Sequence, residues 1–169
     1  MKIVLYQPQI PQNTGNIIRT CAATGAPLVL VKPLGFSTSN KMMRRAGLDY
    51  LQDASIEEID NLDKILTGSF FFFSSKASKL YTDVSYTESS LLIFGNETSG
   101  LPPYLHEKYP EKFVRLPMRD GARCLNLSNS VAIALYEAIR QTDYLLDGKI
   151  KDKRIEKTSE MMAPDASGR

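Results

Sequence analysis

The chain has 169 residues, room for one domain with a sizeable core but not for two independent ones. Its composition, 43% hydrophobic and 24% charged, is that of an ordinary globular protein. A net charge of +2 is too small to indicate a nucleic-acid partner by itself, so any basic footprint must be local.

From the N-terminus, Lys2–Tyr6 reads as a strand, too short for the apolar region of a signal segment. Further strands are expected at Leu28–Val31, Phe70–Ser74, Leu91–Phe94 and Phe113–Leu116. Helices are expected at Asn13–Thr24, Lys41–Ala46, Ile56–Leu66, near Tyr104–Lys108, and at Ser128–Leu146. In the last, Val131, Leu135, Ala138 and Ile139 repeat at helical spacing behind a cap at Asn126 or Ser128. This alternation predicts an α/β domain over residues 1–148, a mostly parallel sheet with helices on both faces. Residues 149–169, basic and then small and polar, are expected to form a tail outside the core. No apolar run has the length of a membrane span. With no export signal, the expected setting is cytoplasmic, with Cys21 and Cys124 as free thiols and no metal.

Ligands of open α/β sheets bind beyond the carboxyl ends of strands, and three polar stretches occupy that position. The first is Pro8–Thr20, where Asn13 is placed to cap a helix that carries Asn16 and Arg19 one turn apart. A capped surface helix with a solvated arginine explains that spacing equally well. The second, Gly95-Asn96-Glu97-Thr98-Ser99-Gly100, brackets a carboxylate with glycines that let backbone groups approach a ligand. It lacks the Gly-Lys-Ser/Thr of a P-loop, and the chain contains no G-x-G-x-x-G, which disfavours triphosphate and NAD sites. The third, Arg115–Ser130, leads from a strand through Arg119 and Arg123 to a helix start suited to an anion or a carboxylate. Capping alone accounts for one of Ser128 and Asn129, not both.

Taken together, Ile10–Arg19, Pro33–Phe36, Arg45–Tyr50, Phe94–Pro102 and Leu125–Ala132 resemble, in order, the motifs of the SPOUT (alpha/beta-knot) RNA methyltransferases. Within that class the similarity is to the TrmL or YibK-like tRNA (cytidine(34)-2'-O)-methyltransferases, over about residues 1–146. The resemblance implies a C-terminal trefoil knot, with the segment from Leu116 onward threading a loop near Gly95, and a homodimer. It implies methyl transfer from S-adenosylmethionine to the ribose of the wobble nucleotide, cytidine or modified uridine, of leucine tRNAs. Cofactor contacts carried over by position are Phe73, Ser74, Gly95, Gly100, Leu116, Met118, Cys124 and Leu125; at Cys124 relatives often have serine. The catalytic set implied is Arg19 with Asn16, Glu97, Ser128 and Asn129.

Such a reaction needs the methyl in line with the ribose oxygen and the hydroxyl proton removed. The single histidine, His106, lies in a stretch that reads as a solvent-facing helix and is expected to be structural or solvated. Arg19 stays protonated, so its expected role is to hold a phosphate and steady the developing alkoxide; the proton acceptor is left open. Candidate RNA contacts are Lys41, Arg44, Arg45, Arg119 and Arg123, with Tyr136 stacking on a base or lying at a dimer seam; a solvated charged face is the competing reading. Two alternatives stand beside this one: methylation at another RNA position, including base methylation through Cys124, and a non-catalytic knotted RNA-binding module.

Overall fold

A computed structural model describes residues 1–37 and 54–143. One seven-stranded sheet organises the molecule, and every pairing in it is parallel. Its strands are β1 (Lys2–Tyr6), β2 (Leu28–Val31), β3 (Ile56–Ile59), β4 (Phe70–Phe73), β5 (Lys79–Leu80), β6 (Leu91–Phe94) and β7 (Phe113–Arg115), in the spatial order β3-β2-β1-β6-β4-β7-β5. Among the described residues the α-helices are α1 (Pro11–Thr24), α2 (Pro103–Lys108) and α3 (Leu127–Gln141). No helix among the described residues is long and apolar enough to cross a membrane.

The central strands are continuous apolar runs because both faces of the sheet are covered. On one face Ile3, Leu5, Leu28, Leu30, Leu92 and Phe94 pack with Ile17, Ile18 and Cys21 of α1 and with Val131, Leu135 and Ile139 of α3. On the other, Val4, Val29, Phe72, Ile93 and Phe113 pack with Leu105 of α2. Phe72 and Phe113 stack across the β4–β7 pair at 4.8 Å. Burial pushes the Cys21 thiol up to about 12, which makes it a packing group and not a nucleophile. Helix α1 starts at Pro11, whose fixed φ suits the first turn. It ends at Gly25, which takes the left-handed conformation (φ 73°) that a side chain disfavours.

Three expectations need correction. Ile56–Leu66 is not a helix: Ile56–Ile59 pairs in parallel with β2, and Leu62–Ile65 is a short 3-10 turn capped by the Asn61 side chain, which accepts from the Asp63 amide at 2.8 Å. Backbone pairing at the sheet edge overrides the helical preference of Glu57 and Glu58. Strand β5, two residues long, is an addition to the five expected. Asn13 does not cap α1: Ile10 occupies the cap position without a side-chain bond, and Asn13 is buried one turn inside. The segments predicted at Lys41–Ala46 and 144–146, and the tail 149–169, lie outside the described residues.

Candidate functional site

Strands β1, β6, β4 and β7 end side by side, and the segments that leave them enclose a cavity of about 520 Å³, within the range of cofactor pockets. Its apolar wall is Phe73, Phe94, Leu101 and Leu116, with the Phe73 and Phe94 rings stacked at 4.5 Å and 15°.

The segment after β6 folds into a closed ring. The Asn96 side-chain carbonyl accepts from the amides of Thr98 (3.1 Å) and Ser99 (2.7 Å) and from both hydroxyls, while the Gly100 amide donates to the Asn96 carbonyl oxygen at 3.1 Å. A Cβ at Gly95 would sit 2.2 Å from the Gly100 carbonyl carbon and 2.4 Å from the Leu101 nitrogen. Glycine at 95 is therefore a condition for closing the ring.

The ring presents Glu97 to the segment after β1. Its carboxylate accepts from the Gln9 amide at 2.9 Å, the Ile10 amide at 3.3 Å and the Asn13 Nδ2 at 2.8 Å. Asn13 Oδ1 in turn accepts from Asn126 Nδ2 at 2.9 Å. Asn126 Oδ1 caps α3, accepting from the Ser128 amide at 2.9 Å and from the Ser128 hydroxyl at 2.7 Å. The amide orientations follow from the two ends. A backbone N–H can only donate and a carboxylate only accept, so both asparagines must point one way. Glu97, Asn13, Asn126 and Ser128 thus tie the segments after β6, β1 and β7 into one rigid frame.

All eight residues singled out for the cofactor, Phe73, Ser74, Gly95, Gly100, Leu116, Met118, Cys124 and Leu125, line this cavity, as does Glu97. Cys124 donates to the Ser75 hydroxyl at 3.4 Å, linking the third segment to the turn after β4. Asn16 and Arg19 project from the exposed side of α1, one turn apart, and do not line the cavity. Ser128 is buried at the α3 start, beside the cavity, whereas Asn129 is exposed. Arg119, Arg123 and Tyr136 are exposed; Lys41, Arg44 and Arg45 lie outside the described residues. Asn13 and Asn126, which sequence reasoning treated only as caps, join the strand-end segments that line the cavity. No local signal marks them: Asn13 meets Glu97, and Asn126 meets Asn13, only across the fold.

His106 is half-buried, not solvent-facing: its ring stacks on Phe113 at 3.7 Å and borders the cavity. Burial, and then the nearby Lys76 charge, push its pKa below the ordinary histidine value. Among the described residues there is no cluster of three or more His, Cys, Asp or Glu side chains suited to a metal.

The SpoU rRNA Methylase family matches residues 1–136. The chain belongs to this family. A curated relative from Methylovorus glucosotrophus (strain SIP3-4), named tRNA (cytidine(34)-2'-O)-methyltransferase, is 49% identical over 147 residues, 84% of this chain and 96% of the relative. A solved structure described as "Structural insights into the 2-OH methylation of C/U34 on tRNA" is 39% identical with a TM-score of 0.78, covering 83% of this chain and 94% of that one. The AdoMet-bound rRNA methyltransferase of Sinorhizobium meliloti is 27% identical with a TM-score of 0.73, covering 82% of this chain and 55% of that one. Membership of this methylase family fits a cavity at the carboxyl ends of parallel strands, walled by aromatic rings and open to glycine backbone.

Proposed function

We propose that this chain transfers a methyl group from S-adenosylmethionine to the ribose 2′-hydroxyl of the wobble nucleotide, cytidine or modified uridine, in leucine tRNAs. The observation that carries the reading is the Glu97–Asn13–Asn126–Ser128 frame, which brings three strand-end segments to one cavity and sets it beside the helix bearing Arg19. The names of relatives nearly half identical over most of the chain supply the substrate class.

The residues present fit the cofactor. The aromatic and aliphatic wall suits adenine, and Gly100, where an added Cβ would meet nothing within 4 Å, leaves backbone of the ring open to a ligand. Phe73, Gly95, Leu116 and Leu125 would hold it, and once bound it supplies an electrophilic methyl group. Glu97 already accepts three hydrogen bonds, so its part is to fix the frame and not to remove the ribose proton. Arg19 anchors a phosphate of the RNA by a bidentate contact and offsets charge developing on the 2′-oxygen. Asn16, one turn before it, orients the same nucleotide, and Ser128 and Asn129 border its path. Arg119 and Arg123, with Lys41, Arg44 and Arg45, supply phosphate contacts that make binding salt-dependent.

Two architectural features belong to the same proposal. The chain after β7 crosses back so that α3 can pack against α1 and β6 on the far side of β4; we read this return as the knot, threading from Leu116 through the loop near Gly95. A second copy covers the exposed Ile133 and Tyr136, which lie one turn apart on α3, making a homodimer.

The test is transfer of a tritiated methyl group from S-adenosylmethionine to purified tRNA and, in parallel, to purified ribosomal RNA, followed by nuclease mapping. Label confined to a 2′-O-methylated position 34 supports the reading. Label in ribosomal RNA alone would favour the alternative to which the family's own description points. No label in either RNA would favour a non-catalytic module.

A further inference from the structure

The cavity lining carries both signs of charge. Glu97 lines it and is held beside α1. Lys76 is the single Lys or Arg among the described residues that line it, and His106 lies close enough to feel its charge. The position of Lys76 is set by a tight turn: its amide donates to the Ser74 hydroxyl at 3.3 Å, and the Ala77 amide to the Ser74 carbonyl oxygen at 3.2 Å. His106 is fixed from behind by its ring stack on Phe113, which leaves an imidazole N–H edge for a ligand. Helix α2, which carries His106, covers the sheet face opposite α1. This pair is therefore separated from Asn16 and Arg19 of α1, two of the residues assigned to RNA.

We infer that Lys76 and His106 form the subsite for the carboxylate of the cofactor's methionyl tail. The inference rests on the S-adenosylmethionine reading and deepens it. That molecule carries one anionic group, and Lys76 is the one Lys or Arg among the described residues that line the cavity; pairing the two sets the direction in which the ligand lies. An RNA phosphate is the less suitable occupant of the Lys76 subsite, because the α1 residues that address RNA are on the other face of the sheet.

The experiment compares calorimetric binding of S-adenosylhomocysteine with that of 5′-methylthioadenosine, which shares the nucleoside and thioether but lacks the amino-acid tail. In Lys76→Met, affinity for S-adenosylhomocysteine falls about tenfold, the loss of one charge-assisted contact, while 5′-methylthioadenosine binds as it does to the wild type. His106→Phe, which keeps the ring stack and removes the N–H, shows a smaller loss for S-adenosylhomocysteine alone. If Lys76→Met weakens both ligands equally, or neither, the subsite is overturned and the cofactor reading stands. If the wild-type protein binds neither ligand, both are overturned.

Discussion

Glu97 and Asn13 stand 84 residues apart in the chain, and their side chains meet at 2.8 Å. That one contact joins the ring after β6 to the first turn of α1, tying the wall of the cavity to the helix that bears Arg19. Its strength follows from its setting: a part-buried amide donating to a carboxylate that also takes two backbone amides. Hydrogen bonds to charged groups contribute about 1.5–3 kcal/mol. In a double-mutant cycle of Asn13→Ala and Glu97→Ala, urea unfolding is expected to give a coupling energy of about 1–3 kcal/mol. A coupling near zero would mean that the frame is not rigid.

Gly95→Ala tests the ring closure. The added methyl would lie 2.2 Å from backbone that has no room to shift without opening the loop. The expected outcome is a destabilisation of about 1–3 kcal/mol together with loss of S-adenosylhomocysteine binding by calorimetry. A variant with unchanged binding would remove the ring from the site.

Arg19→Lys separates positioning from binding. Arg19 is exposed on α1 and outside the cavity lining, so cofactor affinity is expected to hold. Lysine cannot reproduce a bidentate, planar contact, and methyl transfer is expected to fall by about a hundredfold. Full activity would take Arg19 out of the mechanism.

Cys124→Ser discriminates ribose from base chemistry. The thiol donates a single hydrogen bond, to Ser75 at 3.4 Å, and serine can make the same bond. Activity is expected to be retained, with no covalent RNA adduct on denaturing gels; loss of activity with an adduct in the parent protein would favour a cysteine nucleophile.

Acid sensitivity has a local source on α3. Arg140 grips the Glu137 carboxylate through two bonds of 2.8 Å, and Gln141 adds a third of 2.8 Å. The Arg140 hydrogen bond, ahead of the opposing effect of burial, holds Glu137 below the ordinary glutamate value. A depressed folded pKa contributes stability that is complete above the unfolded value and is lost as pH falls through the folded one. Because Arg140 is largely exposed, the contribution is about 0.5 kcal/mol. Glu137→Gln should therefore lower the melting temperature slightly at pH 7 and make no difference at pH 2. An equal deficit at both pH values would contradict the assignment.

The strands were legible because Leu28–Val31 and Leu91–Phe94 are pure apolar runs, which a parallel sheet covered on both faces demands. The cavity residues were legible for a related reason: Phe73, Gly95 and Leu116 each stand at the end of such a run, where ligands of this architecture bind. Ile56–Ile59 was misread because two glutamates within four residues look helical locally, and only the pairing with β2 overrides them. Asn13 and Asn126 show the deeper limit. An asparagine at a helix start looks like a cap from its neighbours in sequence. Asn126 is one and Asn13 is not, and the partner that decides Asn13, Glu97, is remote in the chain.

Mass spectrometry of nucleosides from the leucine tRNAs of cells lacking this protein tests the account most directly. The account predicts that a 2′-O-methylated wobble nucleotide present in the parent strain disappears and returns when the wild-type chain, but not Arg19→Lys, is restored. An unchanged wobble ribose, with every 2′-O-methyl group of those tRNAs intact, would contradict it.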